Sequence, residues 1–245
     1  DKFPCDAVYG MHNMPGVPTG HFAICPGPML AASDTWMVTF KGTGGHGALP
    51  ERGTDPSTPA ATFILAIQGI IGRNVPSSQT AVLSVGHIAG GTYGSPNVIP
   101  SDVLVRGTAR SYSPAVRDLL ERRMGEVARS TAEAWGCTAE YKYQRRYPPL
   151  VNAKEQTGIA VKAAQATAGI DKVDSKMVPM TGAEDFAFML EKKPGAYIFI
   201  GNGGEAEGGC QHVHTPIYDF NDRILLTGAA YWTNLVRQEL GDDAA

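Results

Sequence analysis

The 245-residue sequence has no apolar run near the ~18 residues that a membrane-spanning helix requires, so a helical membrane protein is excluded. It has no excess of either charge. With 24 acidic against 21 basic residues and a formal net charge of -3, it lacks the electrostatic footprint of a nucleic-acid or anionic-membrane binder. The opening stretch DKFPCDAVYG lacks the basic-then-apolar layout of a secretory leader, and the expected compartment is the cytoplasm. Cysteine is scarce and scattered. Cys5, Cys25, Cys137 and Cys210 form no CxxC pair, which argues against a disulfide framework and for reduced, partly buried thiols. No internal repeat and no low-complexity tract occurs.

Glycine, by contrast, is abundant at 29 residues and clusters in GTGGHG, AGGTYG, GNGG and EGG. Such permissive backbone suits loops that approach another backbone or a ligand closely. The apolar pattern divides the chain in three. Between 35 and 144, TWMVTFK alternates with Trp36, Val38 and Phe40 on one face. A helix follows, capped by Ser57 or Thr58 with Pro59 at its first position, then strands TAVLSVGH and DVLVRGTARSY. Ser113 and Pro114 open a second helix, where Val116, Leu120, Met124, Val127, Thr131 and Trp135 recur at helical spacing, and CTAEYKYQ alternates again. The order β-α-β-β-α-β is that of a ferredoxin-like sandwich.

The flanks read as α/β material of a separate, interrupted domain. Upstream lies one short strand, DAVYG. Downstream come a helix near 153–168, a strand MVPM, a short helix AEDFAFML, a strand AYIFIG, a glycine-rich loop and a final helix from Asp222. In that last helix Leu226, Ala229, Thr233, Val236 and Leu240 form the expected buried stripe. The resulting division is 1–34 and 147–245 for an α/β catalytic domain and 35–146 for the inserted sandwich.

Of the six histidines, His21 and His87 sit at the edges of apolar runs and read as structural. His12 follows the strand DAVYG, and His214 follows the glycine-rich loop just before the last helix, so both imidazoles could project from one edge of one sheet. Two histidines do not make a catalytic metal site, which takes three or more protein ligands, and spacing alone leaves metal binding open. Glu184 and Asp185 stand where a helix dipole favours acids, which is as good a reading as a place in a site.

Five stretches, GMHNMPGVPTG, GTGGHGALP, SPNVIPSDVLVRGTAR, GAEDFAFML and HTPIYDFND, in this order and at these separations, resemble the zinc-dependent amidohydrolase and peptidase family that includes aminoacylase, hippurate hydrolase, glutamate-type carboxypeptidases and auxin-conjugate hydrolases. The resemblance implies a metallopeptidase-type α/β catalytic domain with an inserted ferredoxin-like lid. It implies two divalent ions (Zn, Mn, Co or Ni), a homodimer through the lid, and hydrolysis of N-acyl amino acids or short peptides by a metal-bound hydroxide. By the same resemblance His12 and His214 are metal ligands, and His46 stabilises the oxyanion of the tetrahedral intermediate. Asn97 holds the scissile carbonyl or the substrate carboxylate, Arg110 clamps the free carboxylate, and Glu184 belongs to the substrate site. A donor imidazole suits an oxyanion and a planar guanidinium fork suits a carboxylate. Relatives often carry Ser where this chain has Ala183, so no hydroxyl is expected there.

The family's His-x-Cys-Gly-His-Asp segment and its Glu-Glu pair are absent from the sequence. They would supply the other ligands and the general base. The expectation is therefore a C-terminal part of such an enzyme, inactive by itself. The alternative from another class is a lid-mediated dimerisation or binding piece. A nucleic-acid-binding sandwich is disfavoured, because DVLVRGTARS and CTAEYKYQ lack an aromatic, basic sheet face.

Overall fold

A computed structural model describes residues 4–204, 207 and 211–241; Cys210 and the glycines of EGG lie outside that set. The chain forms two units, one made of Asp1–Leu30, Leu150–Met180 and Glu184–Ala245, the other of Ala31–Pro149 and Thr181–Ala183. In chain order the first unit contributes β1 (Val8–Pro15), β2 (Phe22–Ala23) and β3 (Gly27–Leu30). The second unit holds β4 (Ser33–Lys41), β5 (Gly45–His46), α1 (Ser57–Ala66), α2 (Gln68–Arg73), β6 (Ala81–Gly90), β7 (Val98–Ile99), β8 (Asp102–Ser111), α3 (Pro114–Ala134) and β9 (Thr138–Tyr147). The chain then returns to the first unit through β10 (Leu150–Asn152), α4 (Lys154–Ala168), β11 (Val173–Asp174), α5 (Ala187–Leu190), β12 (Gly195–Gly203) and α6 (Leu225–Leu240). Mixed α/β architecture is thus present in the first unit, and no helix among the described residues is long and apolar enough to cross a membrane.

The second unit is an antiparallel sheet ordered β6-β8-β4-β9, which with its helices is the β-α-β-β-α-β sandwich. Alternation along β4 buries Trp36, Val38 and Phe40 against Phe63 of α1, with ring centroids 5.9 and 5.5 Å away for Trp36 and Phe40. Ser113 caps α3, its hydroxyl accepting from the Val116 amide at 3.3 Å. The buried row of α3 differs from the expected one toward its end, running Val116, Leu120, Met124, Ala128, Ala132 and leaving Trp135 51% exposed. Successive i+4 steps drift around the helix, and the buried row drifts with them. α1 starts at Ser57 with Pro56 as its N-cap; the Asp55 carboxylate, not Ser57 or Thr58, accepts the free amide, at 2.8 Å.

In the first unit the sheet order is β1-β12-β2-β11, with β1 parallel to β12 and β12 antiparallel to β2. β12 is buried along its whole length. Three corrections to the sequence expectation follow. His12 lies inside a strand rather than in a loop after it. The β1 ladder runs from Val8 to Met14 opposite Gly195 to Gly201 before Pro15 and left-handed Gly16 (φ 96) end it, and parallel pairing to a central strand overrides the poor strand propensity of Gly, His and Asn. The face of α6 is also different. It buries Gly228, Tyr231 and Leu235, while Leu226 (84%), Val236 and Leu240 are exposed, as are Ala229 and Thr233. Both faces of α6 carry apolar residues, so periodicity could not choose between them; Tyr231 decides it by packing on Phe22, 5.2 Å between centroids. MVPM forms no strand, only a single bridge from Met180 to Leu30. Cys5, Cys25 and Cys137 are free, and burial pushes the thiols of Cys25 and Cys137 up.

Candidate active site

Alternation along β1 sends Tyr9 and Met11 toward α6, where the Tyr9 hydroxyl donates to Glu239. Gly10 and His12 fall on the other face, registered with Tyr197 and Phe199 of β12. Gly10 is required there, because a Cβ would sit 2.6 Å from Tyr197 Cδ2. The Tyr197 ring lies over that glycine, 5.3 Å from Phe186 and 6.0 Å from Phe199. Its hydroxyl donates to Glu184 Oε2 at 2.7 Å, and the Asp185 amide donates to Oε1 at 3.0 Å. Burial pushes the Glu184 carboxyl up, but the Tyr197 hydroxyl, Asp185, the Phe186 amide and the charge of His12 outweigh it, so Glu184 titrates below the usual carboxylate range. Burial and then the Glu184 carboxylate push the Tyr197 phenol upward, and its hydrogen bond to Glu184 is the main cause that raises Asp185. The structure thus brings His12 and Glu184 together around Tyr197. Glu184 is not a helix cap: α5 begins at Ala187 with no side-chain cap.

The His12 ring stands edge-on to Phe199 at 6.3 Å, and its Nδ1 lies 2.5 Å from the Asn13 carbonyl oxygen. A carbonyl can only accept, so Nδ1 carries a proton; when the ring is neutral Nε2 then has the lone pair, the arrangement in which an imidazole binds a metal. His214 has φ 68, the one non-glycine residue of the described set in the left-handed region. Its segment is tied to the end of β1: Asn13 Nδ2 donates to the Tyr218 hydroxyl, and Asn202 of β12 donates to Asp219 O at 3.0 Å and accepts from the Asn221 amide at 2.9 Å. Among the described residues, however, no group of three or more His, Cys, Asp or Glu side chains could hold a metal ion. His12 fits a divalent ion in kind; the donor set among the described residues falls short of a two-ion centre.

In the second unit a loop locks His46 beside Asn97. β5 pairs with β7, His46 opposite Val98, and the Gly47 amide donates to Asn97 O at 2.8 Å. Left-handed Gly44 (φ 66) packs on the Ile99 carbonyl, where a Cβ would lie at 2.8 Å. Thr43 and Thr54 exchange amide-to-hydroxyl bonds of 2.8 Å that close the loop base. His46 and Asn97 line one groove of about 880 Å³ with Gly90, Gly91 and Ser101. The Ala48 amide donates to His46 Nδ1 at 3.0 Å. Arg110 does not line this groove. It sits near the other end of β8 opposite Val82, on the face away from the core, its guanidinium bonded to Ala109 O at 3.0 Å and in no ion pair among the described residues. Sequence reasoning missed Tyr197, Asn13, Asn202 and Tyr218, whose partners lie far away in the chain and carry no local pattern.

A profile of Peptidase family M20/M25/M40 matches residues 1–238. The chain is 35% identical over 226 residues to an N-acetyl-L-cysteine deacetylase of Bacillus subtilis, covering 92% of this chain and 52% of that protein. It is 31% identical over 241 residues to the hippurate hydrolase of Campylobacter jejuni, covering 98% and 61%. The crystal structure of a dinuclear metal-binding peptidase of the M20 family from Bacillus subtilis superposes with a TM-score of 0.76 at 27% identity, covering 94% of this chain and 56% of that one. The chain therefore spans a little over half the length of these relatives.

Proposed function

The chain belongs to peptidase family M20/M25/M40, and from that premise we propose that it serves a metal-dependent amidohydrolase cleaving N-acyl amino acids, hippurate-like compounds or related peptide-like amides. The observation that carries this reading is the groove in which backbone bonds hold the imidazole of His46 next to Asn97. His46 donates to the oxygen on which charge develops when the amide carbonyl is attacked. Asn97 holds the carbonyl or the substrate carboxylate; Arg110, outside that groove and with no acid paired to it among the described residues, is assigned to the carboxylate of the amino-acid part by the family resemblance. Glu184, ionised at neutral pH, is assigned to substrate binding. Two divalent ions, of the Zn, Mn, Co or Ni kind, are the proposed cofactor, with His12 and His214 as the donors from this chain; when bound they supply Lewis acidity and an activated water. A cytoplasmic setting goes with this reading.

We further infer a homodimer through the second unit. From Ser57 to Gly72 the sequence has no charged residue, Leu65 is 76% exposed, and α2 packs against β6, an open edge of its sheet. An uncharged helix face beside an unpaired strand edge suits contact with the same surface of a second copy. The test of the function is release of the amino acid from hippurate and N-acetylcysteine by the natural gene product, with and without a chelator. Metal-dependent release supports the reading; no release from any N-acyl amino acid and no bound divalent ion would overturn it.

The lack of a three-donor group among the described residues favours a second reading for the 245-residue chain alone, that of a dimerisation or binding piece. Hydrolysis by that chain with added Zn or Mn would exclude it, and a dimer without activity would support it.

A further inference from the structure

His46 and His12 sit in opposite backbone environments. At His12 the neighbour of Nδ1 is a carbonyl oxygen, an acceptor; at His46 it is the Ala48 amide, a donor, 3.0 Å away. An N–H can be received only by a ring nitrogen that has its lone pair, so the contact selects the neutral tautomer with the proton on Nε2. We propose that the Ala48 backbone amide fixes His46 as the Nε2–H tautomer and so makes it a dedicated hydrogen-bond donor, unable through Nε2 to serve as general base or metal ligand while neutral. Ala48 is a positioning residue acting through its main chain.

The surroundings hold that geometry in place. Residues 46–49 form a tight turn in which the Leu49 amide donates to His46 O at 2.8 Å, while the Gly47 amide is taken by Asn97 O. A Cβ at Gly47 would stand 3.1 Å from that same Asn97 oxygen, so the turn is packed against the strand partner it bonds. No other described residue bonds the His46 ring, and His46 and Asn97 line one groove. A donor with one fixed hydrogen is prepared for an oxygen that gains charge during reaction and needs no reorganisation when it does. The role assigned to that oxygen rests on the amidohydrolase reading; the tautomer does not.

The test is a long-range ¹H–¹⁵N spectrum of the ¹⁵N-histidine-labelled chain at pH about 8.5, some two units above the ordinary imidazole value. His46 is assigned by the signals lost in His46→Gln. The expected result is that the protonated, upfield nitrogen of His46 is the one coupled strongly to both ring protons, which identifies Nε2–H. An Nδ1–H pattern, or an even mixture, would overturn the proposal. Ala48→Gly keeps the amide and should keep the pattern, whereas Ala48→Pro removes it and should shift His46 toward a mixture. An unchanged pattern in a folded Ala48→Pro chain would refute the role of Ala48. If the Nε2–H form is found and the natural gene product hydrolyses no amide, the amidohydrolase reading fails while the tautomer assignment stands.

Discussion

Replacing Gly10 by alanine puts one methyl group where the Tyr197 ring lies. The new Cβ would stand 2.6 Å from Cδ2 and 2.9 Å from Cε2, against an ordinary carbon contact of about 3.5–4.0 Å, so the ring must retreat by about 1 Å. It has little room: Tyr197 is 5% exposed and flanked by Phe186 and Phe199, and its own amide is held by Asn152 Oδ1 at 2.7 Å. Overpacking of this kind costs about 1–3 kcal/mol. The hydroxyl bond to Glu184 is lost with it, a smaller effect because Glu184 is only half-buried. For a chain of this size each kcal/mol lowers the melting temperature by roughly 2–4 °C, so Gly10→Ala should melt roughly 2–12 °C below wild type, read by far-UV circular dichroism. In a Tyr197→Ala background the clash partner is gone, and the cycle should show a coupling of about 1–3 kcal/mol. If Gly10→Ala costs the same with and without the Tyr197 ring, this account of the glycine is wrong.

Three more outcomes are expected. Asp34 is 1% exposed and accepts from Arg117 Nε and Nη2, the Tyr143 hydroxyl and the Arg146 amide; Asp34→Ala strands those donors and should cost about 3–5 kcal/mol in a urea melt, while a loss under about 1 kcal/mol would show the pair is dispensable. Because the folded Glu184 carboxyl titrates below its ordinary range, its stabilisation is complete above the ordinary carboxylate pKa and disappears as pH falls through the lower folded value; Glu184→Gln should therefore lose less stability than wild type on acidification, measured as melting temperature at neutral and acid pH. Ser113→Ala removes the cap of α3 and should cost about 0.5–2 kcal/mol by the same melts.

The second unit was legible because its signals are local: alternation at Trp36, Val38 and Phe40 and the Ser113-Pro114 helix start are each contained within a few residues. The first unit was less so. β1 reaches through His12 because β12 pairs with it from almost two hundred residues away, and no propensity of His or Asn announces that. α6 is apolar on two faces, and only the position of Phe22 selects Tyr231. Among the site residues, His46, Asn97, His12 and His214 stood out through their motifs. Their supports did not: the Gly47 to Asn97 bond, the Tyr197 to Glu184 bond and the Asn13 to Tyr218 bond join distant segments, two of them through side chains with no periodicity.

The measurement that tests the central claim most directly is hippurate hydrolysis by the natural gene product, compared with its His46→Ala variant and followed as glycine released over time. Metal-dependent turnover that falls about 10²–10³-fold in the variant, the usual loss of one oxyanion donor, is the predicted result. Turnover that ignores both the chelator and the loss of His46 would contradict the account.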